Sequence, residues 1–250
     1  MAVATRPYEP VSSGELQILD PERAAEVDRR HQLLAAYLEL RGDDALLLQR
    51  PSNFAWLTCG GNNTLPGANE PAAALFVTRE ARVALCSSAD SSQLFDHELS
   101  GLGFQLKERP WEEPRSVLIE DLCRGRYVAA DGPMPGARNA EAELADFRKS
   151  LNDREVIAIR SLARTLTHAV EATARSFTCG DTAAEVAGQV AHRLYRHQAT
   201  PVRIQVLADG QGRRYRHWTC GNEQIERYCT IIAVARQRGL HCGVARTVSL

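Results

Sequence analysis

Lysine is almost absent from this chain: of its 250 residues only Lys107 and Lys149 are lysines, so arginine carries nearly all of the positive charge. Together with free use of alanine, that bias reflects a GC-rich genome and says little about function. A strong charge of either sign is also missing. The formal net charge of -1 leaves no basic field for nucleic acid or an anionic membrane. Long hydrophobic runs are lacking too. The longest, such as Ile231–Ala235, suit buried strands and are far too short to span a bilayer. The opening MAVATRPYEP has no apolar core after its basic residue, so no secretory signal is read. The 7 cysteines form no CxxC pair and are odd in number. Cys86, Cys123 and Cys229 sit in apolar settings, and a reduced, cytoplasmic protein is expected. Acid is missing from the end of the chain, where no Asp or Glu follows Glu226. Arg236, Arg238 and Arg246 therefore stand without a local anion. A divalent cation would be repelled there, whereas a guanidinium fork could hold a carboxylate or phosphate, although Arg236 and Arg238 are better read as a solvated turn.

What is present is an ordinary globular composition, 44% hydrophobic and 24% charged, long enough for two domains. Residues 1–19 show no sustained periodicity and read as an extended arm. Asp20-Pro21 opens an amphipathic helix carrying Val27, Leu34 and Leu38 and ending at Gly42. Strands are expected at Asp44–Gln49, Ala74–Thr78, Val83–Ser87, Gly103–Lys107 and Tyr127–Ala130. Helices are expected at Ser91–Leu99, Glu112–Leu122 and Glu141–Ser150, with Asp131–Gly136 a Gly/Pro-rich loop. This alternation predicts an α/β (α+β) protein whose first domain, 20–146, holds a mixed sheet. The second domain, 147–250, opens with Asn152-x-x-Glu155 as a capping box. A long apolar stripe follows at Ile159, Leu162, Leu166, Val170, Ala174 and Phe177. Thr182-x-x-Glu185 caps another helix. The chain closes on a strand at Val202–Ala208 and a hairpin of Thr230–Ala235 and Leu240–Val248, turned at Arg236–Gly239.

Several residues invite chemistry. His217, Cys220, Cys229, His241 and Cys242 lie close enough in sequence to raise a zinc site, but His217-x-x-Cys220 is the only paired spacing. Adjacent His241 and Cys242 point to opposite faces of a strand, so a structural reading is preferred. Thr58-Cys59-Gly60-Gly61-Asn62-Asn63 lacks a neighbouring base for a thiol nucleophile and reads as a turn lining a cleft between domains. Trp56 and Trp218 are either further lining of that cleft or buried aromatics. Arg246, inside a strand, is expected to be buried with a partner, and Glu223 and Glu226 are the nearest acids in sequence.

The closing YCTIIAVARQRGLHCGVARTVSL, the Arg50-Pro51-Ser52-Asn53-Phe54-Ala55-Trp56-Leu57-Thr58 phrase and Gly180-Asp181-Thr182-Ala183-Ala184-Glu185 follow one another in an informative order. In that order they resemble the creatinase, prolidase and methionine aminopeptidase family, the pita-bread metallopeptidases. The resemblance implies a creatinase-like N-terminal domain followed by a pita-bread domain, here truncated. In that family the first hairpin strand carries an aspartate, and the second ends in Asp-x-Thr-Arg-Thr, whose aspartate bridges two metal ions. The matching positions here read Gly243-Val244-Ala245-Arg246-Thr247. The family's ligand histidine and two glutamates come from a second half that would follow this hairpin. The resemblance therefore implies a pseudo-enzyme of the Xaa-Pro aminopeptidase type, with no catalytic residues, no metal ligands and no cofactor. Its substrate-binding relics would be His217, at the family's substrate-touching histidine, together with Trp218 and Arg246. The partner would be a small anionic ligand or peptide, and a homodimer or another protein chain would cover the half-domain. No nucleic acid and no membrane are expected as partners. The alternative is an active metal-dependent Xaa-Pro aminopeptidase or prolidase whose site is rebuilt or completed from outside this chain.

Overall fold

The computed structural model describes residues 20–65 and 70–250, and the expected arm at 1–19 lies outside the described residues. The chain divides into two compact units, Met1–Ala145 and Asp146–Leu250.

The first unit opens with α1 (Pro21–Arg41). The Asp20 carboxylate accepts from the Arg23 N–H at 3.0 Å, Pro21 occupies the first turn, and Gly42 ends the helix at φ 70°. Val27, Leu34 and Leu38 are fully buried, and Arg30 joins their stripe. Its guanidinium is tolerated there because Glu26 accepts from Nε at 2.8 Å, the Trp56 carbonyl accepts from Nη1, and the Trp56 ring lies beneath it.

The remaining elements are β1 (Ala45–Leu48), α2 (Pro51–Leu57), β2 (Ala73–Val77), β3 (Arg82–Ser87) and α3 (Ser91–Gln93), which runs into a π-helical turn at Leu94–Glu98. Then come β4 (Gln105–Arg109), α4 (Arg115–Cys123), β5 (Val128–Ala130), β6 (Arg138–Asn139) and α5 (Glu141–Phe147). The strands form one sheet in the order β4-β3-β2-β1-β5-β6. The β1–β2 and β2–β3 pairs are antiparallel, while β3–β4, β1–β5 and β5–β6 are parallel. All of β1 is buried, which is why its sequence is an unbroken apolar run with no alternation. Leu118 and Ile119 of α4 pack with Ala45, Leu47, Phe76 and Leu85 in one core cluster.

The second unit comprises α6 (Asp153–Ala174), α7 (Ala183–Tyr195), β7 (Thr200–Ala208), β8 (Tyr228–Gln237) and β9 (Leu240–Ser249). Both helices begin in complete capping boxes, built by Asn152 with Glu155 and by Thr182 with Glu185. The strands form an antiparallel sheet in the order β7-β8-β9. Cys229, Ile231, Ala233 and Ala235 of β8 alternate into a core with Leu162, Leu166 and Val170 of α6 and Val186, Val190 and Leu194 of α7. Arg238 at φ 50° and Gly239 at φ 75° make the two-residue turn between β8 and β9, the backbone a tight hairpin of this twist requires.

Candidate functional site

Register decides which way each hairpin residue faces. Arg246 stands opposite Ile231, and Cys242 opposite Ala235, so both lie on the face covered by the helices. Gly243 stands opposite Val234, Ala245 opposite Ile232, and Thr247 opposite Thr230, on the other face. A Cβ added at Gly243 would meet Val234 Cγ2 at 3.5 Å, an ordinary contact. A larger residue is thus sterically admissible, and glycine there is not imposed by close packing. This second face is chemically neutral along its centre: Ile232, Val234 and Ala245, with Thr230 and Thr247 sharing a hydroxyl hydrogen bond of 3.0 Å. Among the described residues, no group of three or more His, Cys, Asp or Glu side chains could hold a metal ion. The residues present do not fit the dinuclear site that the hairpin's resemblance implies.

Arg246 corrects the expectation of a buried guanidinium paired with Glu223 or Glu226. It is exposed, and Glu171 of α6 accepts from its Nε at 3.3 Å and its Nη2 at 3.0 Å. The Ala245 carbonyl takes a further hydrogen bond at 2.9 Å. Glu223 lies elsewhere: its main-chain carbonyl is bonded to α7, and its carboxylate Oε2 is buried with no hydrogen-bond partner among the described residues. The loop at 221–225 packs on the start of α7, where the Gly221 and Glu223 carbonyls accept from the Ala184 and Ala183 N–H groups. Sequence reasoning missed Glu171 because it is remote from the hairpin in the chain and lies beside the apolar stripe of a helix.

His217 and Trp218 lie on the exposed connection between β7 and β8. Trp218 packs against Tyr215 with ring centroids 5.7 Å apart. Its carbonyl accepts from Gln205 Nε2 at 2.5 Å, and the Thr219 carbonyl accepts from the Val206 N–H at 2.7 Å, so this connection follows β7. Gln205 stands opposite Ile232 and therefore faces away from the helices. His217 and Trp218 thus accompany one outer strand on one side of the sheet. Arg246 lies on the other outer strand and faces the helices. The structure does not bring the three together. Trp56, in turn, belongs to the buried interior of the first unit. His241 is exposed opposite Arg236, and its pKa is lowered by partial burial and by that guanidinium.

A different concavity was not visible in the sequence. β1 and β5 are adjacent parallel strands, and a cavity of about 770 Å³ opens at their carboxyl ends. Its wall includes Gln49, Arg50 and Pro51 after β1, and Asp131, Gly132 and Pro133 after β5. Asp131 is fully buried and spoken for: Oδ1 accepts from the Gln49 N–H, and Oδ2 from the Arg50 N–H and Asn53 Nδ2, each at 2.8 Å. This carboxylate ties the ends of the two strands together. Arg50 Nε donates to the Asp131 carbonyl at 2.6 Å and lies 3.3 Å from Glu141. Arg115, in the first turn of α4, donates from Nη1 to the Pro71 carbonyl. Burial lowers its pKa, Glu70 opposes that shift, and it makes no ion pair with a described residue. In the sequence, Asp131-Gly132-Pro133 signals only a loop.

No protein-family model matches the chain, and no curated protein matches it. Solved structures do. The dipeptidase PepE from Mycobacterium ulcerans aligns over 91% of this chain and 65% of its own, with a TM-score of 0.69 and 15% identity. The fold is creatinase-like, the pita-bread fold. The prolidase from Pyrococcus horikoshii OT3 matches this creatinase-like chain over 90% of its length and 64% of the prolidase, with a TM-score of 0.68 and 13% identity. Aminopeptidase P from E. coli matches at a TM-score of 0.67 and 16% identity, over 90% of this chain and 62% of the aminopeptidase. The chain thus spans between 62% and 65% of the length of these three structures. At such identities the likeness establishes the creatinase-like fold, and the chemistry has to be argued from the residues.

Proposed function

We propose that this chain is a non-hydrolytic relative of the Xaa-Pro peptidases whose fold it shares, acting in the cytoplasm by binding a small ligand, a peptide or another protein chain. The observation that carries this reading is the face of the β8–β9 hairpin turned away from the helices, which holds no carboxylate. Gly243 occupies the position where the resemblance calls for a metal-bridging carboxylate; Val234 stands opposite it, with Ile232 and Ala245 on one side and Arg236 and His241 on the other, and none of these is a carboxylate. A hard divalent cation needs several anionic oxygens. Peptide hydrolysis of the metal-assisted kind needs that cation to polarise the carbonyl and to activate water. Neither requirement is met by side chains on this face.

The purified protein is expected to retain no stoichiometric Mn, Co or Zn after dialysis and to leave Xaa-Pro dipeptides intact in the presence of each metal. Elemental analysis and a proline-release assay check this. A stoichiometric metal together with metal-dependent release of proline would overturn the proposal. That outcome would favour the alternative, an active hydrolase whose site is rebuilt or completed by sequence outside this chain, a reading supported by its spanning under two-thirds of its structural neighbours.

A further inference from the structure

The sheet of the first unit reverses its strand order at one place. From β1 the chain proceeds outward on one side to β2, β3 and β4, then returns to β5 and proceeds to β6 on the other. Parallel neighbours whose connections leave in opposite directions open a crevice at their carboxyl ends, and open α/β sheets bind ligands in such crevices. β1 and β5 are that pair, and the cavity of about 770 Å³ lies there. Its volume falls within the range of small-molecule sites, roughly 300–1,000 Å³.

The geometry points to this cavity as a binding site for a small organic anion, a carboxylate or phosphate ester with an apolar body, held through Arg115. Pro71, Pro114, Pro133 and Ile119 supply an apolar wall. Arg50 is already engaged by the Asp131 carbonyl and Glu141, and Asp131 is saturated by its three donors. Arg115 differs from both. It is half-buried, gives one hydrogen bond to the Pro71 carbonyl, and has no described carboxylate within ion-pairing distance. A guanidinium partly withdrawn from water with donors to spare is stabilised by an anion that accepts from its fork. Ser116 at the same wall offers a hydroxyl. This site concerns the first unit alone and stands whether or not the hairpin of the second unit is catalytic.

The test uses the full chain and three probes of matched shape: benzoate, phenyl phosphate and the neutral benzamide. Titrations followed by amide NMR should show benzoate or phenyl phosphate shifting the amides of Ser116 and Gly132, with benzamide inert. The affinity should fall roughly tenfold or more in Arg115→Gln, the loss of one charge-assisted fork. A second variant guards against misfolding of the first. Gly132 has nothing within 4 Å of an added Cβ, so Gly132→Phe places a ring at the cavity wall without a backbone clash. It should abolish anion binding at an unchanged melting temperature. The benzoate and phenyl phosphate titrations separate carboxylate from phosphate recognition. The proposal is overturned if neither anion binds, if benzamide binds as well as benzoate, or if binding survives in Gly132→Phe.

Discussion

Arg246 and Asp209 show how differently two charged residues contribute in the second unit. Arg246 and Glu171 face solvent, their side chains 44% and 37% exposed. An ion pair so exposed contributes little after solvent screening and side-chain entropy, so Arg246→Met should cost less than about 1 kcal/mol. Urea unfolding of the variant checks this, and a loss of several kcal/mol would mean that the guanidinium is buried. Asp209 is the more consequential residue. Its carboxylate accepts from the N–H groups of Glu226, Arg227 and Tyr228 at 2.9, 3.0 and 3.0 Å, anchoring the entry to β8. Burial alone would raise its pKa, but the three N–H donors overcome that and hold it below the usual carboxylate value. Asp209→Ala should therefore destabilise by about 1–3 kcal/mol. Because the folded-state pKa is depressed, this stabilisation is fully present above the unfolded-state pKa and is lost as pH falls through the folded value. Unfolding free energies of wild type and variant should accordingly converge in acid. A gap that stays constant down to the lowest pH would contradict the assignment.

At the level of elements, boundaries marked by capping chemistry were legible and those set by packing were not. Asp20, Asn152 and Thr182 each announced a helix start, and each accepts the expected backbone N–H. Thr182 bridges to Gln224 of the 221–225 loop through the backbone, a contact that side-chain changes keep. Thr182→Ala removes the cap to the Glu185 N–H and should cost about 1 kcal/mol, with Thr182→Ser close to neutral. Thermal unfolding of the pair distinguishes a capping role from a methyl contact, which would make the serine variant as weak as the alanine one. The expected helix over Ser91–Leu99 is instead three α-helical residues followed by a π-helical turn. The strand expected at Gly103–Lys107 begins at Gln105, since Gly103 takes φ 70° and cannot start an extended run. β4 is an exposed edge strand with no apolar alternation to define its frame. The helix expected at Glu112–Leu122 starts after Pro114, because the residue preceding a proline is pushed out of the helical region and Pro114 itself supplies the N-cap. The helix expected to reach Ser150 ends at Phe147.

For the molecule as a whole, the second unit keeps α6 and α7 on one face of its sheet and leaves β9 as an outer strand. Among the described residues, nothing pairs with the second edge of β9, where His241, Gly243, Ala245, Thr247 and Ser249 are exposed. A long edge strand without lysine, proline or a bulge is a template for pairing with another chain. We therefore expect a dimer or higher oligomer in solution, in keeping with the partner proposed above. Sedimentation at micromolar concentration tests this, and a stable monomer would count against it. Pro introduced at Ala245 should weaken the association if β9 forms the interface.

The sequence alone determined the mixed α/β character, the capped helices, the terminal hairpin and the loss of acid from the hairpin. These follow from local chemistry: periodicity, capping residues, turn residues and the types of side chain available. Tertiary structure alone decided that Arg246 faces the helices and meets Glu171, that His217 and Trp218 stand on the far side of the sheet from it, and that Arg50, Arg115 and Asp131 share one wall. Each depends on strand register and sheet order. A one-residue change of register moves a side chain to the opposite face, and the return from β4 to β5 joins residues some eighty positions apart. Neither quantity is written in any short stretch of the chain.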